Sequence, residues 1–393
     1  MPHESPVRQR SLREHHLALV LRHVAAGAAP VTRASLAAAT GLTRVTVAGL
    51  VDELATGGLL TEVDPLPRSG AGRPATGLAL ATTGPAGLGL EINVDYLAAC
   101  VLDLRGELRV LRFQQRDQRG RRPARVLADL ATLATAATDE AATYGLRVAG
   151  TVVGVPGLVN GDGVVRVAPN LGWHNVDVAA ALSPPGAPLT VENEANLAAL
   201  AELHAHPEPR PSFVYISGEI GVGAGLVLEG RLLRGPRGYG GELGHVTISP
   251  DGPQCRCGAR GCLEAYTNQE ALLRSAGLST VDELRSRAED DDPTVLAALA
   301  AAGTALGVAA ADVVNLVDVD TVVLGGIFAP LTPWLAGPVT AEVTARTVTS
   351  AWAPVTVRAA ALGTTATVAG GAGSVVRAIR DAPATWLTPA APR

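Results

Sequence analysis

The chain has 393 residues, of which 47% are apolar, and it carries a net charge of −5. This length is sufficient for two or three domains, and the apolar share is sufficient for buried cores. The negative net charge excludes a general polyanion binder, so any nucleic-acid contact must come from a local patch. The first residues lack the apolar segment of a signal peptide, which predicts a cytoplasmic protein.

The first 82 residues predict three helices followed by a hairpin. Apolar residues at helical spacing predict helices over 15–27, 32–39 and 43–56, with Thr32 and Thr43 as N-caps. Segments 59–63 and 76–80 alternate as two strands, joined by a segment rich in Pro, Gly and Arg. This order of elements is the plan of a winged helix-turn-helix DNA-binding domain.

The third predicted helix is the recognition helix in this plan, because such helices contact base edges through their N-terminal residues. The candidate DNA contacts are short polar or basic side chains, namely Thr43, Arg44 and Thr46 in that helix, Arg33 and Ser35 at the start of the second helix, and Arg68 and Arg73 in the hairpin loop. The region holds eight arginines against six acidic residues. This mild excess leaves contact with another protein as the alternative.

Residues 86–393 predict a second domain in which strand pairs and helices alternate. Strands over 88–94, 97–104 and 148–155 surround a helix over 126–144, and after a division near residue 190 strands follow over 213–217, 222–228 and 322–326. Gly370–Gly373 is expected to precede a last helix. The repeated pattern predicts an α/β fold with two similar lobes. The most apolar stretch, 295–311, is rich in Ala and indicates a buried helix, not a membrane span.

The most specific motif is a His-x9-Cys-x-Cys-x4-Cys pattern formed by His245, Cys255, Cys257 and Cys262. One imidazole and three thiolates suit a tetrahedral structural Zn²⁺ site without an open position. Two glycines between the last two cysteines permit the tight loop that such a site needs. A disulfide is the weaker alternative, because Cys255 and Cys257 are too close for a comfortable bridge and no signal peptide suggests an oxidising compartment.

The segment around these ligands resembles the zinc and sugar segment of the ROK family, in Gly-Gly-Glu-Leu-Gly-His at 240–245, Cys-Arg-Cys-Gly at 255–258 and Gly-Cys-Leu-Glu at 261–264. That family groups bacterial sugar kinases with sugar-responsive transcriptional repressors. The resemblance covers nearly the whole chain and implies an actin-like ATPase fold for the two-lobed body. It also implies sugar contacts at Asn193, Glu194, Glu242, His245 and Glu264, with Asn170 as a further candidate.

Three segments depart from the kinase pattern that the resemblance implies. The family's first phosphate loop has the form Asp-x-Gly-x-Thr, whereas 91–95 is Glu-Ile-Asn-Val-Asp, and in the second loop Glu219 replaces a Thr. The added carboxylates of Asp95 and Glu219 would repel a triphosphate. Glu194 replaces the family's Asp base, and its extra methylene displaces the carboxylate by about 1 Å, which can cost on the order of 10²-fold in rate. These departures predict that kinase activity is lost.

Together these features predict a sugar-responsive transcriptional regulator, most often a repressor, that binds operator DNA as a homodimer or homotetramer and has no membrane partner. A monosaccharide or derivative would bind between the lobes and favour one state of the DNA-binding domain. Two alternatives stay open, a sugar kinase that carries a DNA-binding domain and a regulator whose DNA binding the sugar promotes. Xylose, glucose and N-acetylglucosamine are not distinguished, because all use similar polar residues.

Overall fold

The computed structural model describes residues 9–27, 29–64, 76–182, 188–206 and 210–387. The N-terminal unit begins with helices α1 (Gln9–Ala26), α2 (Arg33–Thr40) and α3 (Arg44–Thr56). The antiparallel strands β1 (Leu60–Val63) and β2 (Gly77–Leu80) follow. These elements match the predicted helices and strands, although α1 begins earlier. Arg68 and Arg73 lie outside the described residues.

Threonine side chains cap the N-termini of α2 and α3. The Thr32 side chain accepts a hydrogen bond from the Ser35 amide, and the Thr43 side chain accepts one from the Thr46 amide. Each cap satisfies a backbone donor that has no partner inside its helix. Gly41 ends α2 in the left-handed conformation, at φ 71°, and the chain turns by 117° between α2 and α3. This angle falls in the range of helix-turn-helix motifs.

The first lobe is built on a five-stranded sheet in the order β10-β6-β3-β4-β5. Its elements are β3 (Gly84–Ile92), β4 (Tyr96–Leu102), β5 (Leu108–Gln115), α4 (Pro123–Thr143) and β6 (Leu146–Val155), then β7 (Leu158–Val159), β8 (Val164–Ala168), β9 (Trp173–Asp177), α5 (Val178–Leu182) and β10 (Leu189–Asn193). Strands β3, β4 and β5 are antiparallel, whereas β6 runs parallel to β3 and β10. Strands β7 to β9 form a small separate sheet.

The second lobe repeats this plan with a sheet in the order β13-β12-β11-β14-β15. Its elements are α6 (Glu194–Ala205), β11 (Phe213–Gly218), β12 (Val222–Leu228), β13 (Arg231–Leu232), a 3₁₀ turn (Leu243–His245), α7 (Leu263–Thr267), α8 (Gln269–Ala276), α9 (Val281–Glu289), α10 (Pro293–Val317), β14 (Thr321–Gly326), α11 (Phe328–Arg346) and β15 (Thr356–Ala359). Helices α12 (Ala366–Asp381) and α13 (Pro383–Leu387) end the described chain. The predicted α/β fold with two similar lobes is confirmed.

Helix α10 contains the apolar stretch that the sequence assigns to a buried helix. Its length and composition would allow it to cross a membrane, but 61% of its most apolar window is buried inside the fold. Leu299, Leu306 and Val314 belong to the core of the second lobe. The expectation of a buried core helix is therefore confirmed.

The glycine-rich segment 370–373 lies inside α12 and does not precede it, contrary to the sequence prediction. A Cβ atom on Gly370 would lie 1.9 Å from the Leu197 carbonyl oxygen of α6, and one on Gly89 would lie 1.9 Å from the Val368 carbonyl oxygen. The backbones therefore approach so closely that glycine is required in α12 at residue 370, which faces α6, and in β3 at residue 89, which faces α12. The helix follows the second lobe in sequence, yet it packs against β3 of the first lobe.

The N-terminal unit shares its hydrophobic core with the body. Leu104 of the first lobe and Ile379 of α12 are buried in the same cluster as the apolar faces of α1 and α3. The Trp386 indole of α13 donates a hydrogen bond to the Gly57 carbonyl at 3.0 Å, and the Arg147 guanidinium lies 4.4 Å from the indole ring centroid. A cation over an indole face is an attractive contact. The C-terminal helices thus hold the unit against the first lobe.

The substitution Gly370→Ala is expected to lower the free energy of unfolding by about 1–3 kcal/mol, because the added methyl group would meet backbone atoms that cannot move aside. Chemical denaturation measures the change. Gly49→Ala is the control, since Gly49 is an exposed helical glycine whose Cβ would have no neighbour within 4 Å. That variant is expected to keep or raise stability by up to about 1 kcal/mol. Equal stability of the two variants would contradict the close packing of α12.

Candidate functional site

A cavity of about 250 Å³ lies between the lobes. Its walls come from the ends of β3, β6 and β10, the β11–β12 turn and the 3₁₀ turn, and include Asn93, Asn193, Glu194, Glu219, Glu242 and His245. Asn170 and Glu264 also line it. The structure therefore brings all six predicted sugar-contact residues to one cavity. The volume is below the roughly 300–1,000 Å³ typical of drug-sized ligands, so it suits a ligand of monosaccharide size.

The four predicted metal ligands lie together beside this cavity. Their ligand atoms are all within 4.8 Å of one another, with the Cys257 and Cys262 Sγ atoms 3.7 Å apart and His245 Nδ1 at 3.9 Å from Cys255 Sγ. Tetrahedral bonds of about 2.3 Å would place two sulfur atoms about 3.8 Å apart. The cysteines are free in this structure. The cluster is thus arranged to hold a metal ion, in preference to the disulfide alternative.

The metal-binding loop is tight because backbone atoms approach one another closely. Gly261 has φ 68°, and a Cβ atom there would lie 1.6 Å from the Ser249 carbonyl oxygen. The Cys255 amide donates to the Ala259 carbonyl at 2.9 Å, which turns the chain between the first two thiols and the third. Cys262 then begins α7 as its N-cap residue. A glycine is therefore required at 261, as the sequence suggests.

His245 and Glu264 connect the metal cluster to the cavity. The His245 ring directs Nδ1 toward Cys255, while Nε2 lies 3.9 Å from the Glu242 carboxylate. Buried Glu264 accepts a hydrogen bond from the Val222 amide at 3.0 Å, and its other oxygen lies 3.9 Å from Cys255 Sγ. A metal ion held by the loop would therefore fix both the ring that lines the cavity and the loop that precedes Glu264.

Asn193 holds the cavity end of α6 in place. Its side-chain oxygen accepts hydrogen bonds from the Ala195 and Asn196 amides, and its amide group donates to the Gly157 carbonyl at 3.1 Å. The residue is thus engaged in capping α6 and joining it to the end of β6. Glu192 lies outside the cavity lining and accepts hydrogen bonds from Asn196 and Arg234 at 3.0 and 2.5 Å, a role that was not predicted. The Glu-Asn-Glu run at 192–194 was the available signal.

Glu194 has the most unfavourable environment of the cavity carboxylates. Its Oε2 atom is buried and has no hydrogen-bond partner among the described residues. Burial raises the pKa of this carboxyl well above its ordinary value, and the charges of Glu219, Glu91 and Glu242 raise it further. Glu194 lines the cavity, so the cavity wall includes a carboxyl group with one unpaired, buried oxygen.

A second group of carboxylates joins the lobes where the sequence departs from the phosphate loops. The Asn93 side-chain amide donates to Glu219 at 2.5 Å and to Glu91 at 3.4 Å, and the Tyr96 hydroxyl donates to Glu91 at 3.1 Å. Glu91 is 1% exposed, and burial, followed by the charge of Glu219, raises its pKa to about 8. Asp95 forms a surface ion pair with Arg119 at 2.7 Å. Glu91 therefore lies buried beside Glu219, whereas Asp95 does not line the cavity.

The predicted DNA contacts have different environments. Thr43 caps α3 and lies 2.9 Å from the Thr46 hydroxyl, and Ser35 forms a capping box with Thr32. Arg44 is exposed and forms no hydrogen bond or ion pair within the part of the chain that the structure describes.

Arg33, a predicted phosphate contact, forms two ion pairs within the protein. Its guanidinium is paired with Asp52 of α3 at 3.0 Å and with Glu62 of β1 at 2.8 Å. These pairs form because the start of α2 faces both elements, a proximity that the sequence alone does not reveal. Arg33 therefore holds α3 against β1.

The fold and cavity define a two-lobed, actin-like body that belongs to a class of sugar-binding proteins, with an N-terminal helical unit added to it. A family model described as ROK matches residues 87–378. The chain belongs to the ROK family.

The relatives differ in how much of this chain they cover. The xylose repressor of Bacillus subtilis strain 168 is 28% identical over 323 residues, which covers 81% of this chain and 83% of that protein. A crystal structure of a ROK family transcriptional regulator, a homologue of the E. coli MLC protein, has a TM-score of 0.80 at 24% identity and covers 96% of this chain and 99% of its own. The ROK hexokinase of Thermus thermophilus has a TM-score of 0.62 at 33% identity and covers 75% of this chain and 99% of its own.

The substitution Cys257→Ser is expected to abolish stoichiometric metal binding, because a hydroxyl is a poor replacement for a thiolate ligand. Elemental analysis of the purified protein measures the metal content, and a thermal melt measures the accompanying loss of stability. Cys100→Ala is the control, since this buried thiol lies among apolar residues of the first lobe, away from the metal cluster. Unchanged metal content in Cys257→Ser would contradict the ligand assignment.

Glu91 is expected to contribute stability that is lost as the pH rises from about 5 to 8. Folded Glu91 holds its proton up to about pH 8, whereas an unfolded glutamate releases it near pH 4.3, so the folded state binds more protons in this window. Glu91→Gln has no such proton and is expected to lose less stability over the same range. Melting temperatures at several pH values measure the slopes, with exposed Glu229→Gln as the control. Parallel slopes in Glu91→Gln and the wild type would contradict the prediction.

Proposed function

We propose that this chain is a DNA-binding transcriptional repressor whose operator binding is controlled by a monosaccharide bound between the lobes. The observation that carries the proposal is the helix-turn-helix geometry of α2 and α3, which precedes a body with the sugar-kinase fold. The hexokinase structure is similar to only 75% of this chain, whereas the regulator structure is similar to 96% of it. Residues 1–82 act as a winged helix-turn-helix domain, and residues 86–393 act as the sugar-binding body.

The body does not transfer phosphate in this proposal. A triphosphate would approach Glu219, whose carboxyl is not paired with any arginine among the described residues, and buried Glu91 beside it supplies no positive charge. Like charges repel strongly where water is excluded. Glu194 stands at the position of the family's catalytic Asp, but burial and, after it, the same crowded carboxylates raise its pKa. The site thus favours a neutral sugar over a nucleotide.

The metal ion is Zn²⁺ in a structural role. Three thiolates and one imidazole are ligands that zinc prefers, and they leave no open position for catalysis. The ion would hold His245 with its Nε2 atom toward the cavity and fix the loop that precedes Glu264. A sugar hydroxyl can then form hydrogen bonds with His245, Glu242 and Glu194.

Sugar binding is coupled to the DNA-binding domain through packed helices. Asn193 lies at the cavity and caps α6, α6 packs closely on α12, and α12 leads to α13, which contacts α3. A sugar that prefers one arrangement of the lobes would therefore change the position of α3. The chain acts as a homodimer or a homotetramer in the cytoplasm, because two recognition helices are needed for two operator half-sites. Xylose, as in the name of the Bacillus relative, is the first effector to test.

Arg44→Ala is expected to weaken operator binding by about 5- to 150-fold, because a basic side chain at the start of the recognition helix contributes about 1–3 kcal/mol through base or phosphate contacts. A gel-shift titration measures this affinity, and calorimetry with the effector sugar is expected to give an unchanged Kd. Arg125→Ala removes an exposed arginine of α4 and is the control. Full operator affinity in Arg44→Ala would contradict the assignment of α3.

Purified protein is expected to release no ADP above background when ATP is supplied with common hexoses and pentoses. A coupled assay measures the release. The Glu194→Asp variant tests whether the family's base alone restores turnover, and we expect it to stay inactive because Glu91 and Glu219 remain. Sugar-dependent turnover of the wild type at an ordinary enzymatic rate would favour the kinase alternative.

A further inference from the structure

Val45 lies in the first turn of α3 and is the most exposed large apolar side chain among the described residues, at 84%. The other large apolar side chains of α3 are buried in the N-terminal core, namely Val47, Leu50, Val51 and Leu54. A β-branched residue is also less favourable in a helix than alanine. Val45 therefore makes no evident contribution to the stability of the fold.

The surface around Val45 allows close approach of a partner. Gly49 lies one turn further along the same face, is exposed, and a Cβ atom there would have no neighbour within 4 Å. Asp52, one turn beyond, is paired with Arg33, so its charge is offset within the protein. Arg44 is adjacent and has no intramolecular partner among the described residues. This face thus combines the apolar side chain of Val45, the unpaired guanidinium of Arg44 and the absence of a side chain at Gly49.

We infer that Val45 contacts the C5-methyl group of a thymine in each operator half-site and selects that base. This inference rests on the proposed function and names one element of the sequence that α3 recognises. In the major groove, the thymine methyl group is the apolar feature that distinguishes one base pair from the others, and apolar side chains contact it. Arg44 supplies the charge that brings the duplex to this face, whereas Val45 supplies a preference for one base.

The test uses the full-length protein and a duplex selected from a randomised library by repeated rounds of binding. Each thymine of the selected duplex is replaced in turn by uracil, which removes only the methyl group. Kd values are measured for the wild type, Val45→Ala and Val348→Ala, the last being an exposed valine of the body. A double-mutant cycle between residue 45 and each methyl group gives the free energy of interaction between them.

The wild type and Val348→Ala are expected to lose about fourfold in affinity at one thymine in each half-site, since burying one methyl group is worth about 0.8 kcal/mol. Val45→Ala is expected to bind the thymine duplex about fourfold more weakly and to show no further loss with uracil at that position. The inference is overturned if Val45→Ala and the wild type respond equally to every uracil. If the wild type binds no duplex even at low salt, the proposed function fails as well, and the two failures are thereby distinguished.

Discussion

The close packing of α12 against both lobes is the constraint on which the arrangement of the molecule depends. Gly370 lets α12 meet the backbone of α6, and Gly89 lets it meet β3, so backbone atoms of three elements are in contact. The same helix carries Ile379 into the core of the N-terminal unit. Since a well-packed interior deforms little, a change in the position of α6 is transmitted to its neighbours. The cavity and the N-terminal unit are thus parts of one packed structure.

Carboxyl groups of the cleft lie where the two lobes meet. The two lobes meet through hydrogen bonds from Asn93 to Glu91 and Glu219, two carboxylates that can lie so close only if they share protons or donors. This bridge stabilises the contact between the lobes without a nucleotide. The cavity beside it keeps the short polar side chains that suit sugar hydroxyls. In the proposed function, this fold has lost one ligand and kept another through substitutions at a few loop positions.

Much of the fold could be predicted from the sequence, because its apolar spacing and threonine caps act locally. The metal cluster was predictable for the same reason, since its last three ligands lie within one short loop. Contacts between distant segments were not predictable, as the glycines of α12 and the ion pairs of Arg33 illustrate. The Gly-Gly-Ala-Gly run suggested a loop because glycine is unfavourable in helices, but close packing overrode that preference. The roles of Glu91 and Glu192 were likewise not predicted. Glu91 is buried beside Glu219 of the other lobe, and Glu192 pairs with Arg234, which is 42 residues further along the chain.

Trp386 gives the protein a built-in optical reporter. Its indole lies at the junction of α13 with the N-terminal unit, hydrogen-bonded to the Gly57 carbonyl and stacked beneath the Arg147 guanidinium. Release of this contact would expose the ring to water and remove the nearby cation, and both changes alter indole fluorescence. The emission of this side chain is therefore sensitive to the docking of the N-terminal unit, and it adds to the emission of the other three tryptophans of the chain.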